Sequence, residues 1–347
     1  HESAGWVYPE HRHIALLAIQ KLKPEQRAIL DQLWASARVG YESRLSAGVI
    51  EPDQGVNPAQ IDYAAWSGIS GDHSCSPKDM LDIVLKSEWI LNVAHVAAQL
   101  EVDIENSRNR SEHVNAIRNS DIRLQRADAA YATRAGSNNV HFLMARPEIE
   151  TDGDDYYLLC HAAGAELNAL GMYSWFHTSA LYKAARSREA NLTPQQKSSL
   201  ILAALADEAF ALHFLEDVYA AGHTAGTWGD ASVRKGTHDY YNERGLEVTT
   251  WDDKRAILMG DAYMREQDAD FAAVSVSMSI EQLIMAATGE LRVRSEGDVT
   301  SQDILPDTFN VCKNNFQPKR LRRDTVSMRR EMLTFLPQVL RRTPVPG

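Results

Sequence analysis

Apolar positions along the chain recur at helical spacing far more often than at the alternation of strands. Residues 9–36 (PEHRHIALLAIQKLKPEQRAILDQLWAS) predict two amphipathic helices broken near Pro24, with Ile14, Leu17 and Ala18 on one face. Periodic segments rich in Ala and Leu at 81–104, 112–134, 156–186 and 194–222 predict further long helices, and 252–291 predicts one or two more. Sustained two-residue alternation is missing, and Val/Ile/Thr runs are few. Turn residues mark loops at 47–60, 67–78, 135–139, 224–236 and 295–318. The expected fold is therefore all-α, a multi-helix bundle with long loops. A helical domain over 1–291 and a C-terminal extension over 292–347, packed on the same domain, are the expected parts.

Composition adds bounds. With 347 residues and 44% apolar content, the chain is long enough for one large or two ordinary domains. No uninterrupted apolar run approaches the ~20 residues of a bilayer span. The sequence opens without a charged-then-apolar leader. It reads either as a cytoplasmic chain or, the expectation carried forward, as a secreted or periplasmic one whose signal peptide has been removed. A net charge of −11 argues against a protein that tracks nucleic-acid backbones, although bound divalent metals add positive charge that a formal count omits. Cys75, Cys160 and Cys312 are too few for a disulfide scaffold or a thiolate zinc site; one bridge plus one free thiol is open, in any pairing. Residues 319–342 carry eight Lys or Arg around Met328, Met332, Phe335 and Leu336. This predicts a helix docked on the body, or else a contact for an anionic membrane surface. The closing TPVPG reads as the start of a linker.

Candidate chemistry concentrates in HFLEDVYAAGH, residues 213–223. His213 and Asp217 stand at i, i+4 and share one helix face about 6 Å apart, a spacing that lets two side chains grip one metal ion. His223 follows where Gly222 ends the helix, and His238 stands fifteen residues further on. His11 and His13 open the first helix after Trp6, while Asp72 and His141 sit at loop edges. Imidazole and carboxylate ligands without clustered thiolates suit a hydrolytic Zn²⁺ site rather than a structural one.

Taken in order, these residues resemble the zinc-dependent phospholipase C and fungal single-strand nuclease superfamily. Its His-x3-Asp-x5-His motif is matched by His213, Asp217 and His223, and its Trp-x4-His opening by Trp6 and His11, whose apolar register favours His11 over His13. Asp72, His141 in an "HF" segment and His238 fit the family's remaining ligands in order, so the resemblance spans roughly residues 6–250. It implies a phospholipase C/nuclease-like helical bundle holding two to three Zn²⁺ ions in a trinuclear site. One ion would take Asp72, His141, His213 and Asp217; a second His11 and the bridging Asp217; a third His223 and His238. The family's acidic ligand four residues after His238 is here Asn242, with Asp239 and Glu243 as neighbours in poorer register. The family's N-terminal Trp ligates through its amine and carbonyl, whereas HESAG precedes Trp6 and leaves only its carbonyl, unless His1 supplies the amine.

The implied activity is a zinc-dependent phosphodiesterase, in which a metal-activated water attacks phosphorus and Asp72 orients or deprotonates it. Phospholipid is the expected substrate, giving diacylglycerol and a phosphorylated head group, with peripheral membrane contact. A single-strand nuclease/3'-nucleotidase is the alternative, and a non-catalytic helical metal-binding module stands as a reading of another class. Arg146, Arg234 and Lys235 read as surface charges or phosphate contacts, and Trp66 and Trp228 as packing or stacking groups. His73 is expected beside Asp72 as a partner or at the surface; His95, His113, His161 and His177 are expected to be structural.

Overall fold

A computed structural model describes residues 6–51, 59–131, 134, 139–162, 164–225, 231–260, 262–293, 309–313 and 325–346. Among them are fourteen α-helices, a 3₁₀ turn and one small hairpin, a mostly helical fold. The first two helices, α1 (Tyr8–Gln20) and α2 (Pro24–Ala37), break where expected, because Pro24 suits a helix's first turn but not its interior. Ile14 and Ala18 of α1 are fully buried and Leu17 packs partly against the core.

The centre of the molecule is the pair α8 (Ala169–Arg186) and α9 (Pro194–Asp217), with α1 and α12 (Glu266–Thr288) packed on it. Thr193 caps α9, accepting from the Gln196 N–H at 3.1 Å, while the Gln196 side chain accepts from the Thr193 N–H at 2.9 Å. Past residue 203, α9 is buried on every side. Such a helix is apolar all round, which is why α9 and α12 are long and apolar enough in composition to cross a membrane although neither is an uninterrupted apolar run. Both lie largely inside the fold, with 78% and 61% of their most apolar windows buried.

Burial on all sides also carries acids inward. Asp207 is met by Ser179 Oγ at 2.6 Å and Lys183 Nζ at 2.7 Å, and Glu208 by His177 Nδ1 at 2.7 Å and Ser279 Oγ at 2.6 Å. His177 completes its pairing with Gln282 Oε1 at 2.8 Å, so it is a satisfied core histidine. The acids at the far end of α9 are met differently.

Several expected long helices are split. Residues 81–104 fall in α4 (Pro77–Lys86) and α5 (Trp89–Glu105), and α6 (Arg110–Ala127) follows. The Asn168 side chain caps α8 through the Gly171 N–H, separating it from α7 (Gly153–Cys160) across Gly164 at φ 79°. Part of the loop expected at 67–78 is helical, as α3 (Trp66–Ile69) and the start of α4. The 3₁₀ turn spans Asn139–His141; α10 (Ala221–Ala225) and α11 (Ala231–Arg244) follow α9. The region from 252 is not helical at its start: β1 (Leu246–Thr249) and β2 (Arg255–Leu258) pair antiparallel with Leu246 opposite Leu258. Strands of four residues are too short to give a readable alternation.

The C-terminal helices α13 (Thr325–Met332) and α14 (Leu336–Leu340) turn Met328, Met332, Phe335 and Leu336 into the core shared with α1, α8 and α9. That apolar set therefore faces protein and offers no apolar surface to a bilayer. Lys319, Arg320, Arg322 and Arg323 lie outside the described residues. Residues 343–346, read from sequence as a linker, dock on the hairpin: the Val345 N–H donates to Thr249 O at 2.8 Å. Cys75 is bonded to Cys312, and Cys160 is buried and outside any disulfide. A disulfide points to an extracytoplasmic protein.

Candidate metal centre

Five chain segments meet at the C-terminal end of α9. The first is α1, whose entry is fixed by Glu10: its carboxylate accepts from the Ala262 N–H at 2.6 Å and the Met264 N–H at 2.9 Å. The helical register then turns His11 inward, fully buried, and His13 outward to Glu266. The second is the turn after α3, where Gly71 takes φ 76° and delivers Asp72 to the interior. A Cβ on Gly71 would lie 2.7 Å from His213 Cδ2 and 2.8 Å from Nε2, so only glycine allows this approach. The 3₁₀ turn brings His141, α9 itself brings His213 and Asp217, and α10 with α11 brings His223, His238 and Asn242.

Asp217 is the hub. Its Oδ1 lies 3.3 Å from His11 Nε2, while Oδ2 lies 2.7 Å from His141 Nδ1 and 3.2 Å from His213 Nε2. Asp72 Oδ1 is 3.7 Å from His213 Nε2 and 4.0 Å from His141 Nε2. Two overlapping triads result, His11–Asp72–His213 and His141–His213–Asp217, each with its ligand atoms within 4.8 Å of one another and wholly buried. The resemblance groups these residues differently, placing His11 with Asp217 and Asp72 with His141.

The remaining residues form a neighbouring group. His223 Nε2 and His238 Nε2 are 3.2 Å apart, and the His223 Nδ1–H donates to the His141 carbonyl. Asn242 stands beside them with Nδ2 2.9 Å from His238 Nε2, but its oxygen accepts from the Gly222 N–H at 2.7 Å. Its amide is seated against Gly222 and Gly260, where a Cβ would clash. Of the alternatives, Asp239 accepts from His238 Nδ1 at 2.9 Å, and Glu243 pairs with Arg110 at the surface.

Glu216, not singled out from the sequence, is the added member. It is fully buried beside Asp217, with Oε2 2.7 Å from His11 Nδ1, and its main-chain carbonyl accepts from the Trp6 indole at 2.8 Å. The available signal was a second acid in an otherwise apolar helix end.

Charge defines what the cluster can do. Asp72, Glu216 and Asp217 are buried together, two of them at the negative end of a long helix. Among the described residues no Lys or Arg makes an ion pair with any of the three; their close partners are imidazoles. Burial pushes Asp72 well above the usual carboxylate range. Burial also opposes ionisation of Asp217, but His213 and the three imidazole contacts hold it well below. At His213 burial favours the neutral ring, yet Asp217 and Asp72 outweigh it and push the pKa up to about 9. Burial and His213 push His11 down to about 4, and burial takes His223 down to about 3. Without a metal, His213 thus takes the cation's part.

The donor set fits a divalent cation. His11 Nε2, His141 Nε2, Asp72 Oδ1 and Asp217 Oδ1 are all buried without a hydrogen-bond partner, and a buried unpaired polar atom costs about 1–3 kcal/mol. Neutral imidazole and carboxylate are the ligands that Zn²⁺ and its neighbours prefer.

The other singled-out residues lie elsewhere. Asp128 accepts from His73 Nδ1 at 2.9 Å, His95 is exposed, and His113 donates to Ala262 O at 2.6 Å. His161 is buried with both ring nitrogens unpartnered. Trp66 packs edge-on against Trp34 and Tyr63 in the core. Arg146 lines a cavity of about 430 Å³ with Thr224, Tyr241 and β1. Trp228, His1 and the side chains of Arg234 and Lys235 lie outside the described residues.

Comparison of the chain with protein-family profiles, with curated proteins and with solved structures finds no match.

Proposed function

We propose that the cluster is the divalent-metal centre of a phosphate-ester hydrolase, with zinc the metal. The observation that carries the reading is the set of four buried atoms without a hydrogen-bond partner on His11, Asp72, His141 and Asp217, beside three acids that no Lys or Arg pairs with among the described residues. When bound, the metal would supply Lewis acidity, lowering the pKa of water and neutralising phosphoryl charge.

The chain's own residues divide the remaining work. His213 would offer a metal its Nε2, because Nδ1 donates to Ser67 O at 2.7 Å. Asp217, whose two oxygens face different imidazoles, would be the shared ligand if two ions are held. Asp72 would lend Oδ1 to a metal, whose charge would keep its buried carboxyl ionised and able to orient or deprotonate an attacking water. His223 and His238 would hold a third, weaker site, with Asn242 bracing α10 against α11 rather than ligating. Arg146, in the cavity beside Thr224, is a candidate contact for a substrate oxygen.

Phospholipid is the first substrate to test, because a net charge of −11 disfavours long polyanions. The buried apolar face of α13 and α14 leaves that preference resting on charge alone. The nuclease reading is favoured by one observation, the Trp6-x4-His11 opening, which docks as a unit on Glu216. Parallel assays of phosphatidylcholine and single-stranded nucleic acid, each with and without chelator, separate the readings. Chelator-sensitive release of a phosphorylated head group supports the lipase, and nucleotide release supports the nuclease. Bound metal without hydrolysis of either sinks the enzyme reading and leaves a metal-binding module.

A further inference from the structure

We infer that Glu216 is the positioning residue of the centre: its carboxylate holds His11 in the Nδ1–H tautomer and thereby aims the Nε2 lone pair at the cation. The inference rests on the metal-centre reading above. A neutral imidazole carries one N–H. Burial pushes the Glu216 carboxyl well above the usual carboxylate range, and a cation in the cluster would favour its ionised, accepting form; the 2.7 Å contact between His11 Nδ1 and Glu216 Oε2 then places the proton on Nδ1. His11 Nε2 is then bare. It lies 3.3 Å from Asp217 Oδ1, and neither atom has a hydrogen-bond partner. Two facing lone pairs repel, and a cation between them turns that repulsion into coordination.

The backbone is fixed by the same residue. The Glu216 carbonyl takes the Trp6 indole N–H, so one residue of α9 grips the chain on both sides of the start of α1. His11 needs this more than the other ligands do. His213 sits on α9 itself and gives Nδ1–H to Ser67 O, and His223 gives its own to the His141 carbonyl. Both of those outer acceptors are neutral. Asp239, which faces His238 Nδ1, is a carboxylate with its side chain 52% exposed. His141 Nδ1 also faces a buried carboxylate, Asp217 Oδ2 at 2.7 Å, but Asp217 is itself a proposed ligand; Glu216 stands outside that set, and an outer carboxylate raises imidazole basicity toward the metal.

The test pairs zinc affinity, measured by competition with a chromophoric chelator, with ¹⁵N imidazole NMR of the metal-free protein, the His11 signals being assigned by their loss in His11→Gln. In the zinc-loaded wild type, recorded alongside the metal-free protein, His11 should read as protonated at Nδ1 with Nε2 on the metal. Glu216→Leu should release that tautomer and weaken zinc by about 10–100-fold, the usual effect of losing an outer partner. Glu216→Gln, which keeps an acceptor oxygen, should keep the tautomer and lose less. In a His11→Gln background, Glu216→Leu should weaken zinc no further. An unchanged tautomer and affinity in Glu216→Leu, or an equal loss in both backgrounds, overturns the assignment. If Glu216→Leu does not fold, Glu216→Ala decides by the same two readouts: a released tautomer with reduced affinity supports the role, and wild-type values for both remove it. Failure of the wild type to bind zinc would sink the metal reading, while the tautomer measurement still decides what Glu216 does to His11.

Discussion

His213 and Asp217 were legible from sequence because i, i+4 spacing puts them on one helix face wherever the helix lies. His11, Asp72 and His141 could be gathered only through their order along the chain, since nothing local says that a turn after α3 folds back onto α9. Gly71 is what makes that return feasible, and it predicts its own test. Gly71→Ala should cost about 1–3 kcal/mol from the φ of 76°. It should also displace the His213 ring, so metal affinity falls together with the urea midpoint. A variant as stable and as metal-loaded as the wild type would remove the close approach from the account. Glu216 escaped the sequence reading for a physical reason: its importance lies in the unit formed by Trp6 and His11, more than 200 residues away.

At the scale of elements, the periodic pattern located helices well and their ends poorly. The interruption at residues 161–168 is made by Gly164 and the Asn168 cap, which an Ala- and Leu-rich window averages away. His161 lies in that interruption, buried with neither ring nitrogen hydrogen-bonded, and burial followed by Arg329 pushes its pKa down to about 3. The unfolded chain holds the ordinary value of 6.5 and binds more protons below it. Its neutral form therefore supports stability fully above pH 6.5, and that support is lost as pH falls toward 3. Urea unfolding across this window should slope by up to about 1.4 kcal/mol per pH unit, and His161→Phe should flatten part of the slope. A parallel profile for the two proteins would contradict the assignment. The bridge from Cys75 to Cys312 joins residues 237 apart in sequence. Removing it with Cys312→Ser should cost about 2–5 kcal/mol, read by chemical denaturation. A cost under half a kcal/mol would mean the two segments are held without it.

Over the whole molecule, one helix organises both stability and site. Its upstream acids, Asp207 and Glu208, are neutralised by Lys183, Ser179, His177 and Ser279, and they hold the core together. Its downstream acids, Glu216 and Asp217, make no ion pair with Lys or Arg among the described residues and lie against imidazoles, an arrangement that could hold a cation. The all-α class was legible because that burial produces long apolar periodic segments. The small hairpin was not, because four-residue strands leave no pattern to read. Metal content measured on freshly purified protein, by elemental analysis per chain, tests the central claim most directly. Two or more divalent ions per wild-type chain are predicted, falling in Asp217→Asn and unchanged in His95→Ala, whose side chain is exposed on α5. A wild-type value near zero, or an Asp217→Asn protein that keeps its full complement, would contradict the account.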